Sequence, residues 1–314
     1  MPSDSDRSHG QGGLTGVMTR VLSCLVMCMA LHPLVGWANP SSPLDAPAST
    51  AFTASTASTA STASPATTAT TATPATPCQK PVYLTFDTGH MGVAPLIAEV
   101  LQRHQVKVTF FAAHEPTQTG DGSLGTHWAP WWQARAREGH AFASHTHDHV
   151  YWLADAPEGR FDVRPSAGPH KGQRLRWTAE DYCADINRAR ERLQVVTGVP
   201  ALPVYRAPGG KTSPALLRAA KACGYAHIGW SPAGFLGDEL PSDRYPNAQL
   251  LRQSLERIRP GDILMAHLGI WSRQDPWAPA VLEPLVHGLQ QKGFCFRTLR
   301  EHPQFQQWTV RHGA

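Results

Sequence analysis

With 314 residues and 41% hydrophobic content, the chain can bury one sizeable core or at most two small ones. Its 28 basic and 24 acidic residues leave a formal net charge of +4, spread along the sequence without a basic block. That pattern argues against a nucleic-acid binder and is compatible with work near anionic cell-wall polymers.

In chain order, Arg20 precedes the apolar run Val21 to Leu31, then come Pro33 and the small-residue ending Gly36-Trp37-Ala38. This is the layout of a secretory signal peptide over residues 1–38, with Met18 as an alternative start. The run is short for a membrane span and is interrupted by His32 and Pro33, so no stable membrane insertion is expected after cleavage. The mature protein is expected to be periplasmic or secreted. Residues 39–77 are rich in Ala, Ser, Thr and Pro, with a triplet repeat from Thr53-Ala54-Ser55 to Thr62-Ala63-Ser64. Such a tract buries too little apolar surface to offset its ordering entropy and reads as a flexible tether. Residues 78–314 read as one folded domain, expected to be a monomer.

In that domain short β-type runs alternate with helical patterns. Expected strands are Val82 to Phe86, Val106 to Ala112, Ala141 to Ser144, Pro203 to Arg206, Ala226 to Trp230, Asp262 to His267 and Phe294 to Leu299. Apolar residues at helical spacing lie between them, at Val93 to Leu101, Ile186 to Val196, Leu216 to Ala222, Leu250 to Ile258 and Val281 to Leu289. Thr178 with Asp181 resembles a capping box, Ser213-Pro214 offers a cap and a first-turn proline, and Asn247 is expected to cap the helix before Pro260-Gly261. About seven such units imply an α/β fold with a parallel sheet closed or nearly closed into a barrel, whose strand C-termini carry the chemistry. Glu115 to Trp128 and Tyr151 to Trp177 exceed a minimal barrel and are read either as walls of a substrate groove or as structural filler.

Removal of the signal leaves Cys78, Cys183, Cys223 and Cys295, which allow three pairings. First and last strands of a closing barrel are neighbours, so Cys78 is expected with Cys295, and Cys183 with Cys223 on successive helices. Buried free thiols are the alternative.

The chemistry-bearing residues cluster at strand ends. His145-Thr146-His147-Asp148-His149 places two imidazoles four residues apart, and if strand turns into helix there, both face one way and share a divalent ion, zinc being the expected one. Asp87, Arg206 and His267 each end an apolar run. Asp87 as a helix cap, Arg206 as a salt-bridge residue and the histidines as a polar turn are the plainer alternatives. Trp128, Trp131 and Trp132 fit sugar stacking or helix packing equally.

In order, Leu84-Thr85-Phe86-Asp87-Thr88-Gly89, His145 to His149, Arg206-Ala207-Pro208-Gly209-Gly210 and Ile263 to His267 resemble the polysaccharide deacetylase family, carbohydrate esterase family 4 with its NodB-like domain, over roughly residues 80 to 300. The resemblance implies a distorted (β/α)7 barrel that removes acetyl groups from sugars. It implies His145 and His149 as metal ligands, Asp87 as general base, His267 as general acid and Arg206 as the group orienting Asp87. It also implies a groove shaped by Pro208, Gly209 and Gly210, with Trp230 beside it, and Asp238 as the acid that tunes His267. His147 is expected to face away and Asp148 to hydrogen-bond a ligand imidazole.

Where the family usually has a second, metal-ligating aspartate in its first motif, this chain has Thr88, a neutral hydroxyl that weakens the expected metal site. A branch of the family acting on muramic residues of peptidoglycan also departs there, with asparagine. His90 or Asp87 could complete the coordination. The expected activity is N-deacetylation of a GlcNAc- or MurNAc-type polysaccharide, peptidoglycan first. The alternatives are a non-catalytic glycan-binding barrel and an O-acetyl esterase of xylan-type polymers.

Overall fold

The structure, a computed structural model, describes residues 78–313; the export signal and tether expected over residues 1–77 lie outside the described residues. Ten strands and seven α-helices follow in the order β1 (Pro81–Asp87), α1 (Ala94–Arg103), β2 (Thr109–Ala112), α2 (Ala129–Arg137), β3 (Ala141–Ser144), β4 (Val150–Ala156), β5 (Arg160–Pro165), β6 (Leu175–Trp177), α3 (Ala179–Thr197), β7 (Val204–Tyr205), α4 (Pro214–Ala222), β8 (Ala226–His227), α5 (Asn247–Arg257), β9 (Ile263–His267), α6 (Leu282–Gln291), β10 (Cys295–Phe296) and α7 (Pro303–His312). No helix among the described residues is long and apolar enough to cross a membrane.

Seven strands form one sheet, paired in parallel in the order β10-β1-β2-β3-β7-β8, with β9 also on β1. These are the seven strands expected from the sequence, each leading to a helix, β3 only after β4, β5 and β6, and the architecture is a distorted (β/α)7 barrel. The two-residue period of β1 sorts its side chains. Val82, Leu84 and Phe86 pack outward under α1, α2 and α6 in the main core. Tyr83 packs in a separate inner cluster with Phe111, Val204, Ile228, Ile263 and Phe305 of α7, and Thr85 and Asp87 share its face of the strand. With Phe305 in that inner cluster and the Tyr83 ring against His302, just ahead of α7, the end of the barrel opposite Asp87 is filled.

Barrel closure is incomplete. Between β8 and β9, residues 231–236 replace a strand: Ser231 N donates to the Ile263 carbonyl at 3.0 Å, Met265 N to the Gly234 carbonyl at 2.7 Å, and Phe235 bridges Met265. The strand expected over Ala226 to Trp230 ends at His227, because the Ile228 and Gly229 carbonyls accept from the Arg206 guanidinium instead of from a neighbouring strand. Likewise β2 begins only at Thr109.

The stretch Tyr151 to Trp177 is no irregular loop. It forms most of a second, antiparallel sheet, β4-β5-β6, whose Val150, Phe161 and Val163 pack on Tyr182 and Ile186 of α3 and Leu216 of α4. Helix starts follow the sequence at two of three positions. The Thr178–Asp181 capping box forms, and Ser213 Oγ accepts from Leu216 N at 3.1 Å. Asn247 does not cap α5: it is already inside the helix, and its side chain instead holds Arg273 Nη2 at 2.6 Å and the Pro276 carbonyl at 3.1 Å. Trp132 is fully buried against Phe110 and Phe142 with its indole N–H on the Ser123 carbonyl, so the α2 tryptophans serve packing.

Cys78 pairs with Cys295, tying the approach to β1 to β10, and Cys183 pairs with Cys223, tying α3 to the end of α4, with Cα separations of 5.9 and 6.3 Å. The first closes a loop of sequence separation 217. Cys78→Ser/Cys295→Ser is expected to lose roughly 2–5 kcal/mol of stability in urea unfolding under oxidising conditions; an unchanged midpoint would show that the link contributes nothing.

Candidate active site

Asp87 ends β1 and is 3% exposed. Arg206, directly after β7, is wholly buried and reaches it along the barrel interior: Nη1 donates to Asp87 Oδ1 at 2.6 Å and to Thr85 Oγ1 at 2.9 Å, Nε to the Ile228 carbonyl at 3.2 Å and Nη2 to the Gly229 carbonyl at 3.1 Å. The guanidinium carbon lies 4.1 Å from the Phe111 ring centroid and 5.7 Å from that of Trp230. Burial pushes the Asp87 carboxyl up, but Arg206, then His145 and His267, outweigh it and hold the group below the usual carboxylate range. The residue is an anion at neutral pH with one oxygen engaged by Arg206.

The other oxygen faces the histidine pair, Oδ2 being 3.5 Å from His145 Nε2. His145 and His149 do turn to one side, their ring centroids 4.9 Å apart, but no helix brings them there. The segment is a tight turn with left-handed backbone at Thr146 (φ 58°) and His149 (φ 48°), in which Val150 N donates to Thr146 Oγ1 at 2.8 Å and Thr146 N to Ser144 Oγ at 3.2 Å. Both rings are oriented through Nδ1, His145 by the Arg206 carbonyl at 2.9 Å and His149 by Ser166 Oγ at 2.5 Å. A carbonyl can only accept, so His145 carries its proton on Nδ1 and presents the Nε2 lone pair to the site. Burial lowers its pKa to about 4, leaving the ring neutral at pH 7.

Across the mouth stands His267, which ends β9 in register with Asp87. Asp238 accepts its backbone N–H at 2.6 Å and its Nδ1 at 3.1 Å. Burial disfavours the imidazolium, but Asp238 overcomes it and the pKa is pushed up to about 9. The β1 and β9 rims are held together by backbone: His90 N donates to the Gly269 carbonyl at 3.1 Å, and a Cβ on Gly89 (φ 142°) would sit 2.1 Å from that oxygen.

Three features of the site differ from what the sequence alone suggests. His90 does not join the histidine pair: its Nδ1 accepts from Gly92 N at 2.9 Å and its ring lies against Trp271, beside a cleft shared with His267, Asp238 and Gln118. Asp148 binds neither imidazole of the pair; it takes His147 Nδ1 at 2.8 Å and Arg188 Nη2 at 2.5 Å. Asp148, His147 and Asp185 bring three donor atoms within 4.8 Å of one another, yet Arg188 also lies 2.6 Å from Asp185 and already supplies the cation, so this is an ion-pair network on the barrel's flank. Third, Glu115, just past β2, enters the site without any motif to announce it: Thr88 Oγ1 donates to its Oε2 at 2.5 Å, and its Oε1 lies 4.0 Å from His149 Nε2.

Along the adjoining surface Pro208, Gly209 and Gly210 form a short turn, with Tyr151 of β4 over Gly209 and Trp230 over Gly210. The antiparallel sheet thus borders the cleft through Tyr151.

The profile of the polysaccharide deacetylase family matches residues 75–228. Asp238 and His267 lie beyond that span. The chain is 26% identical over 233 residues to a chitooligosaccharide deacetylase of Azorhizobium caulinodans, covering 70% of this chain and 93% of that protein. It is 24% identical over 225 residues to the peptidoglycan-N-acetylmuramic acid deacetylase PdaA of Bacillus subtilis, covering 70% of each. A solved peptidoglycan N-acetylglucosamine deacetylase superposes with a TM-score of 0.54 at 23% identity, over 73% of this chain and 90% of that one, which shows the shared fold. The chain belongs to the polysaccharide deacetylase family.

Removing Arg206 alone leaves the Asp87 carboxylate buried without its partner. Arg206→Met is expected to cost about 3–5 kcal/mol at pH 7, and Asp87→Leu/Arg206→Met to recover most of that loss. Urea unfolding of the three proteins checks this, and a double variant as unstable as the single one refutes it.

Proposed function

We propose that the protein is an exported, metal-dependent N-deacetylase of a GlcNAc- or MurNAc-containing polymer, with peptidoglycan the favoured substrate. The observation that carries the reading is the pairing of a buried, ionised Asp87, 3.5 Å from His145, with a protonated His267 in register across the β1–β9 rim.

The donor set suits a divalent ion: a neutral His145 with Nε2 free, His149 beside it, and carboxylates within reach. His145 and His149 would hold the ion, zinc being the expected one. When bound, it would polarise the acetyl carbonyl and acidify a water. Asp87 takes the proton of the attacking water, and Arg206, by engaging Oδ1, leaves Oδ2 as the accepting oxygen. His267 has Nδ1 occupied by Asp238 and donates from Nε2 to the departing nitrogen. An amine leaves only once protonated, whereas an alkoxide from an acetyl ester needs that proton less, so an imidazole kept charged up to about pH 9 favours amide over ester. A purely glycan-binding barrel would need neither group. Export accords with two disulfides, which persist in oxidising compartments. Peptidoglycan is favoured by the likeness to the muramic acid deacetylase and by the export proposed above; chitin-type oligomers come second by the likeness to the Azorhizobium protein.

Acetate release is expected from peptidoglycan above chitin oligomers and acetyl-xylan, to stop on chelation and return with zinc. Asp87→Asn is expected to lower it by about 10²–10⁴-fold; undiminished turnover in that variant, or none on any of the three polymers by the zinc-loaded protein, sinks the reading.

Because His267 acts protonated, kcat/KM is expected to fall as pH rises through about 9. Asp238→Asn removes the group that raises this pKa, so the alkaline limb should move toward the ordinary imidazole value of about 6.5. An alkaline limb that stays in place in Asp238→Asn assigns it to another group.

A further inference from the structure

We propose that Glu115 supplies the anionic oxygen that Thr88 lacks, completing with His145 and His149 the donor set for the divalent ion; this rests on the metal-dependent reading above.

Thr88 itself is poorly placed to act as a ligand. Its hydroxyl donates to Glu115 Oε2 at 2.5 Å and accepts from Ala113 N at 3.0 Å, so its proton and one lone pair are engaged in fixing the β2 loop. The hydrogen bond turns Glu115 toward the histidines, with Oε1 at 4.0 Å from His149 Nε2. Two atoms each about 2.0–2.2 Å from one ion can be at most about 4.4 Å apart. The Glu115–His149 gap falls inside that reach, whereas the donor atoms of His145, His149 and Glu115 are not all within 4.8 Å of one another, so gathering all three on one ion requires a side-chain rotation. The backbone on which the carboxylate hangs is also fixed: Glu115 N donates to Ser123 Oγ and Ser123 N to the Glu115 carbonyl, both at 2.9 Å, while Ser123 Oγ donates to the Ala113 carbonyl at 2.5 Å. Its side chain is only 17% exposed.

Charge leads to the same residue. The anion of Asp87 is matched by Arg206 and that of Asp238 by the charged His267, so both pairs are internally neutral. A dication held by the two imidazoles would otherwise face no uncompensated anion. Among the described residues Glu115 forms no salt bridge with Lys or Arg, and its basic partner is His149. The second carboxylate thus arrives from the end of β2 rather than from the end of β1, with the Thr88 hydroxyl as its bracket. Such a swap needs a donor at position 88, which is what threonine keeps and an apolar residue would lose.

The metal-free full chain, titrated with zinc alone in competition with a chromophoric chelator, gives the affinity directly, without turnover. Glu115→Gln keeps the shape and the hydrogen bond to Thr88, and thermal melting checks its folding. It is expected to bind zinc about 100-fold more weakly or worse, at or beyond the limit of losing an outer-shell partner. Thr88→Asp/Glu115→Gln, which restores a carboxylate at the end of β1, is expected to regain most of that affinity, a rescue that a merely structural Glu115 would not allow. Wild-type zinc affinity in Glu115→Gln alongside weakened binding in His149→Ala overturns the Glu115 assignment and leaves the deacetylase reading standing. Wild-type affinity in both variants overturns the metal site itself.

Discussion

The ion pair between Arg206 and Asp87 organises this barrel. Stripping a guanidinium and a carboxylate of water costs several kcal/mol per ion, and the cost is met only if every donor finds a partner. Arg206 places four hydrogen bonds on two parts of the chain: Asp87 and Thr85 on β1, and the Ile228 and Gly229 carbonyls after β8. Those two carbonyls are then lost to sheet pairing. The early end of β8, the irregular chain over residues 231–236 and the incomplete closure against β9 follow from that diversion. The same irregular chain leads to Asp238, and so to the charge on His267. The demand of one buried cation for acceptors and the distortion of the barrel are two sides of a single arrangement.

Two imidazoles on one rim illustrate how neighbours set protonation. His145 and His267 are both buried, and burial disfavours the charged ring in each. His145 spends its Nδ1 proton on a peptide carbonyl and shares the Asp87 charge with Arg206, so desolvation prevails and its pKa falls to about 4. His267 faces the Asp238 carboxylate through Nδ1, and its pKa rises to about 9. One ring is thereby suited to donate a lone pair and the other a proton, from the same residue type.

Much of this was legible from the sequence, for physical reasons. A strand buried on both faces is largely apolar, and runs such as Val82 to Phe86 and Ile263 to Ala266 announce themselves. The strand ends carrying Asp87, His145, Arg206 and His267 came with them, as did the cysteine pairing. What escaped depended on long-range partners. The antiparallel sheet over residues 150–177 is masked by Gly, Pro and Arg, and its apolar side chains make sense only against α3 and α4. α7 is short and mostly polar, and Phe305 gains its role from the barrel end it fills. The histidine spacing suggested a helix because i and i+4 share a helical face, but two left-handed residues achieve the same convergence in a turn. Asn247 looked like a cap until Arg273 claimed its amide oxygen. Glu115 lies 27 residues from Thr88, and no local pattern connects them.

The contact between Gly89 and Gly269 makes the two borders of the cleft unequal. On the β1–β9 side main chain meets main chain with no room for a methyl group, so the spacing between the carboxylate and the protonated imidazole is set by peptide geometry and cannot be tuned by exchanging side chains. The opposite border, with Tyr151 over Gly209, belongs to a sheet inserted between two barrel units. Lengthening or trimming that insertion would reshape the cleft without disturbing the parallel strands. Breadth of substrate, in evolution or by engineering, is therefore adjustable through that insertion.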